Sequence, residues 1–204
     1  MYKGLERKGG VCMRRFEYGW IQSLSWDMDI LSLIAGIYRA NGKEEVLLSQ
    51  SPAILDSLVE LAKVQSTEAS NAIEGIVTTS TRLRQLVTDK TTPRNRDEQE
   101  IMGYRDALNV IHESYDSISL CRNHILQLHK ILYNYQFNAR GGQLKSVQNY
   151  ISVTYPDGRT EVLFTPLAPY ETAEALDQIC AEYNRVVGNG EVEPLLAIPI
   201  FIHD

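Results

Sequence analysis

Apolar residues recur at helical spacing along most of this chain, and the period changes only once. That restricts the fold to a mainly α bundle carrying a single β-hairpin. The change comes at Val147 to Tyr155 and Thr160 to Phe164, which alternate as strands do. Tyr155-Pro156-Asp157-Gly158 lies between them, with a proline to preset one turn residue and a glycine to take the left-handed position. A lone two-stranded ribbon is marginally stable in water, so this one is expected to lean an apolar face on helices.

The helical stretches follow in order. Ile30, Leu31, Leu33, Ile34 and Ile37 predict a helix from Trp26 to Ala40, and Asn41-Gly42 is expected to stop it. Ser51-Pro52 reads as a helix start, a capping serine before a first-turn proline, with Ile54, Leu55, Leu58, Leu61, Ala62 and Val64 on the pattern that follows. A small-residue helical stretch, Thr67 to Glu74, ends at Gly75. Thr79 and Ser80 can cap a short helix containing Leu83, Leu86 and Val87. Longer helices are predicted over Glu98 to Tyr115 and Arg122 to Tyr135, and helices return at Ala173 to Val187 and from Glu193 onward. Residues 1 to about 20, with Gly4, Gly9 and Gly10, read as an irregular arm. The polar stretch Asp89 to Asp97, containing Pro93, suggests a boundary between an N-terminal helical region, 1–92, and a second region, 93–204.

With 204 residues, 44% hydrophobic and 23% charged, the chain is long enough for a sizeable core. A formal net charge of -6 argues against a broad electrostatic footprint for nucleic acid or an anionic membrane surface. Cys12, Cys121 and Cys180 are scattered and form no C-x-x-C pair, which fits reduced cysteines better than a disulfide framework or a zinc site. The apolar run Ile30 to Ile37 is too short to span a bilayer, and the expected compartment is the cytoplasm. Arg140-Gly141-Gly142 is not a phosphate loop. His112, His124 and His129 have no ligand spacing, His129 reads as a core histidine, and His203-Asp204 reads as structural.

Glu74 stands directly before Gly75, at the carbonyl end of its predicted helix. An acid there opposes the helix dipole by roughly 0.3–1 kcal/mol when exposed, which a solvated surface tolerates. The alternative is that Glu74 is aimed at a cation supplied from elsewhere. Ser70, one turn earlier on the same face, could then steady the carboxylate. Ala69 and Ala72 would keep the helix thin, and Ile73 and Ile76 would flank the acid as apolar anchors.

Ser70-Asn71-Ala72-Ile73-Glu74-Gly75 matches the inhibitory pattern [S/T]-x-x-x-E-[G/N] of Fic proteins, and its continuation Ile76-Val77-Thr78-Thr79 is also similar to that family. Further along, Ile101-Met102-Gly103-Tyr104-Arg105-Asp106-Ala107 resembles the first helix of the Fic core, and Ile125-Leu126-Gln127-Leu128-His129 the next. Gly141-Gly142-Gln143-Leu144-Lys145 with Val147-Gln148-Asn149-Tyr150-Ile151 resembles the entry to the family's flap, and Phe164-Thr165-Pro166 its exit. In all, residues 20 to 204 resemble such a protein. The resemblance implies a Fic-type helical bundle with one β-hairpin flap and an N-terminal inhibitory region whose motif spans about 67–76.

By the same resemblance, the protein is a protein adenylyltransferase, a nucleotidyltransferase that uses ATP and Mg²⁺ for AMPylation of Ser, Thr or Tyr hydroxyls. Ser70, Glu74 and Gly75 would be inhibitory, Glu74 pairing with an active-site arginine that otherwise holds the γ-phosphate of ATP. Val147, Asn149, Ile151, Phe164, Thr165 and Pro166 would position the target, with Thr165 and Pro166 near the nucleotide and a protein substrate docked along the hairpin edge. The family's catalytic loop, H-P-F-x-[D/E]-G-N-G-R-x-x-R, is not in these 204 residues and is expected just after Asp204, so this segment alone is expected to be inactive and to bind ATP and Mg²⁺ poorly. No catalytic or metal-binding residue is assigned within it. Two other readings stay open: a non-enzymatic helical regulatory module on a Fic-like scaffold, and a Fic enzyme that transfers another phosphate-containing group or removes AMP. A homodimer and a C-terminal DNA-binding winged helix, frequent in the family, are also left open.

Overall fold

The computed structural model describes residues 16–50, 52–76, 78–88, 91–137 and 140–204. The expected irregular arm, apart from its last few residues, and the Ser51 cap lie outside them. Within them the chain is mainly helical, with seven α-helices and one two-stranded antiparallel sheet. Its packing separates into two compact units: one of residues 25–119 and 124–143, the other of 16–24, 120–123 and 144–204.

The first unit begins with α1, Met28–Gln50, where the Asp27 carboxylate accepts the Ile30 N–H at 2.8 Å as an N-cap. The helix runs straight through Asn41-Gly42, contrary to expectation. One internal glycine costs only about 1 kcal/mol, and the helix-favouring Lys43 and Glu44 follow it at once. Next, α2, Pro52–Ile73, joins the two helical stretches read from the sequence into one. Thr79 accepts the Arg82 N–H at 3.3 Å to start α3, Ser80–Thr88, and Asn95 accepts the Glu98 N–H at 2.9 Å to start α4, Arg96–Ser114. Last, α5, Arg122–Leu132, ends one turn earlier than expected.

Leu83, Leu86, Val87, Ile101 and Met102 form the buried core of this unit, with Val64, Ile76 and Tyr135 packed on it. At Gly103, α4 passes so close to α5 that a Cβ would overlap the Leu132 carbonyl. The packing does not follow a division at 92/93. Across that point the Arg82 guanidinium on α3 grips the Glu98 carboxylate on α4 through two hydrogen bonds of 2.9 and 2.7 Å.

The second unit holds a 3-10 turn, Gly19–Ser23, then β1, Ile151–Thr154, β2, Thr160–Phe164, α6, Pro169–Gly188, and α7, Pro194–His203. Tyr18, Ile21, Ile179, Cys180, Val186, Val192 and Ala197 are its buried apolar residues. Glu182 on α6 accepts the Tyr18 N–H at 2.9 Å and also receives Arg185, which holds its carboxyl below the ordinary value. Burial pushes the Cys180 thiol up. Among the described residues, no helix is long and apolar enough to cross a membrane.

Candidate functional site

The end of α2 closes by a hydrogen-bond pattern that fixes where Glu74 stands. The Ile76 N–H donates to the Asn71 carbonyl at 2.9 Å and the Gly75 N–H to the Ala72 carbonyl at 3.0 Å, while Gly75 adopts φ +78. This is the Schellman closure, in which a left-handed residue after the helix lets two late amides satisfy open carbonyls. Glycine suits that position because a side chain would strain it. Glu74 is therefore the last residue before the left-handed turn. Its carboxylate is exposed and, among the described residues, makes no hydrogen bond or ion pair.

Ser70 does not steady that carboxylate. Its hydroxyl is 2.9 Å from the Tyr104 hydroxyl on α4, with Ser66 3.4 Å from the same oxygen. A bonded partner on a neighbouring helix outcompetes a carboxylate that water already solvates. Nor is Ile73 an anchor: it is 83% exposed, whereas Ile76, beyond the turn, packs on the core. Ala69 and Ala72 are exposed, so this face of α2 is thin and open. The opposite side is fixed by fully buried Thr67 and by Asn71, whose side-chain amide donates to the Thr67 carbonyl at 2.8 Å.

The same unit holds two polar networks. Glu98, almost fully buried, receives Arg82 and the Arg94 N–H, the latter at 2.7 Å. The Arg82 hydrogen bond is the main reason its carboxyl falls from 4.5 to about 2. In the other, Arg105 donates to the Leu86 carbonyl at the end of α3 at 2.6 Å and to its neighbour Asp106, and the Tyr135 hydroxyl donates to Asp106 at 2.7 Å. Desolvation, aided by Asp106, pushes the Tyr135 phenol up.

The hairpin pairs Thr154 with Thr160, Val153 with Glu161 and Ser152 with Val162, then Ile151 with Phe164. Leu163 is left over as a bulge, a feature that bends a strand and re-aims its side chains. Its turn is the one the sequence specifies: the Gly158 N–H donates to the Tyr155 carbonyl at 2.9 Å, and Gly158 sits at φ +84. Val147 is not in a strand. The Gln148 side chain donates to the Pro166 carbonyl at 2.9 Å, tying the two legs together by a side-chain bond where a ladder was expected.

Val147, Asn149, Ile151, Phe164 and Thr165 are exposed and Pro166 is half-buried. Val162 and Leu163 are exposed too, so among the described residues β2 covers no apolar face, contrary to expectation. With only two strands, each has one edge that is unpaired within the sheet. The residues of the α2 terminus are thus brought together in the first unit and those of the hairpin in the second.

His129 takes a local structural part, its Nδ1 accepting the Gly142 N–H at 3.0 Å. The bond from Tyr104 to Ser70 and the Asp27 cap escaped the sequence reading, which names Tyr104 only within a string that resembles the Fic core. Asp27 carries a local capping signal, three residues before Ile30, whereas nothing near Ser70 points to Tyr104. Among the described residues, no group of three or more His, Cys, Asp or Glu is placed to hold a metal ion. A scan against protein-family models finds no match to this chain, and a search of curated proteins finds no similar sequence.

Proposed function

We propose that this chain is the inhibitory and target-positioning part of a Fic-type protein AMP-transferase acting in the cytoplasm. The observation that carries the reading is the α2 terminus. An exposed carboxylate on a Schellman-closed helix end, next to a glycine at φ +78, coincides with the string Ser70 to Gly75 that resembles the family's inhibitory motif. A carboxylate at that position gains from meeting a guanidinium, because the helix end offers it only partial negative charge.

In this reading Glu74 pairs with an arginine that would otherwise hold the γ-phosphate, and the nucleotide is then bound unproductively. The hairpin edge takes up an extended segment of the target by strand addition and presents its hydroxyl, supported by the open edges of β1 and β2. That hydroxyl oxygen would attack the α-phosphorus of ATP while its proton passes to a base, the histidine of the family's H-P-F-x-[D/E]-G-N-G-R loop, and pyrophosphate would leave. ATP would supply the AMP group and Mg²⁺ would offset phosphate charge. The residues to hold them belong to the H-P-F-x-[D/E]-G-N-G-R loop, which these 204 residues do not contain and which the reading places beyond Asp204.

The test is AMP transfer from labelled ATP by the full-length gene product. Replacing Glu74→Gly raises incorporation, into the protein itself or into an added target. Unchanged incorporation defeats the inhibitory assignment, and incorporation in neither protein favours a non-enzymatic module.

A further inference from the structure

We propose that Tyr104 is a positioning residue for Glu74: its hydroxyl clasps Ser66 and Ser70 and sets the rotation of the end of α2. The inference rests on the inhibitory reading above for its consequence, but its structural half stands alone. Ser66 and Ser70 lie one turn apart, so their hydroxyls share a face of α2. Both meet the Tyr104 oxygen, at 3.4 and 2.9 Å. A phenol can donate one hydrogen bond and accept others, so one tyrosine can serve both serines.

Among the described residues, these are the side-chain hydrogen bonds that join the last two turns of α2 to another element. The neighbouring polar groups do not share the task. The Thr67 hydroxyl donates to the Lys63 carbonyl at 2.7 Å, and the Asn71 amide donates to the Thr67 carbonyl, so both bond within α2. Their burial holds that side of α2 by packing, and the clasp adds a directed bond to another element. Successive residues of an α-helix are about 100° apart around the axis, so a modest roll of α2 re-aims the carboxylate that follows its last turn. Tyr104 comes from α4, whose start is fixed by the Asn95 cap and the Arg82–Glu98 pair, which makes it a firm reference.

Amide hydrogen exchange on this chain tests the clasp. Tyr104→Phe, which removes only the hydroxyl, and Ser70→Ala each speed exchange at Glu74, Gly75 and Ile76 by about 2- to 10-fold, the range that losing one hydrogen bond allows. Exchange at Ala107 on α4 stays as it was, and Ser70→Thr restores slow exchange. Equal acceleration at Ala107, or none at 74–76, overturns the clasp.

The consequence is tested in the full-length gene product. Tyr104→Phe raises AMP incorporation by about 2- to 10-fold in the wild-type background and adds nothing when Glu74→Gly is already present, a dependence that general loosening would not give. If Glu74→Gly releases activity and Tyr104→Phe does not, the positioning role is wrong and the functional reading stands. If Glu74→Gly itself releases nothing, the functional reading falls, taking the regulatory role with it, and the exchange result still judges the clasp.

Discussion

Glu98 and Gly103 show how much single positions decide here. The Glu98 carboxyl titrates at about 2 in the folded chain against an ordinary 4.5. Its contribution to stability is therefore complete above pH 4.5 and is lost as pH falls from there toward 2. Glu98→Gln leaves Arg82 one acceptor oxygen there in place of two, with Thr91 and the Thr92 carbonyl still bonded to it, and should lower stability in denaturant unfolding at neutral pH. It should also flatten the acid limb of the stability profile. An unchanged acid limb would mean that other carboxylates govern it. Gly103→Ala forces a methyl group into the Leu132 carbonyl and should destabilise by about 3 kcal/mol. The sequence names Gly103 only as part of a resembling string. Its need for glycine comes from α5, 29 residues away, and no local pattern announces that.

At the scale of elements, legibility follows how local the cause is. The caps at Thr79 and Gly75 and the turn at Gly158 were readable because each depends on residues within a few positions. The stop expected at Asn41-Gly42 failed because a glycine only weakens a helix, and α1 has enough good formers on both sides to continue. The strand expected from Val147 begins only at Ile151: opposite that stretch Pro166 has no N–H to give to a ladder, and its carbonyl is taken by the Gln148 side chain. Of the expected site, the Glu74–Gly75 terminus was readable and the partner of Ser70 was not, since Tyr104 lies 34 residues on. For the hairpin, Gly158→Val places a β-branched residue at φ +84 and should cost the ribbon about 1–2 kcal/mol. Faster exchange at the Tyr155 amide, which donates to the Arg159 carbonyl at 2.8 Å, with helix amides unaffected, is the expected result. Protection unchanged at Tyr155 would show that the turn does not limit the hairpin.

For the whole molecule, two packed units replace the division that the polar stretch 89–97 suggested. A run of polar residues marks a boundary only when nothing spans it, and here Arg82 and Glu98 do. The mainly α composition with one hairpin was legible from hydrophobic period alone. The functional proposal turns on whether the carboxylate at the end of α2 restrains chemistry elsewhere in the protein. Its most direct measure is the ratio of AMP-transfer rates with ATP and Mg²⁺ between Glu74→Gly and wild-type full-length gene product. A ratio of about ten or more, equivalent to roughly 1.4 kcal/mol of released restraint, is expected. A ratio of one, with transfer measurable in both, would contradict it.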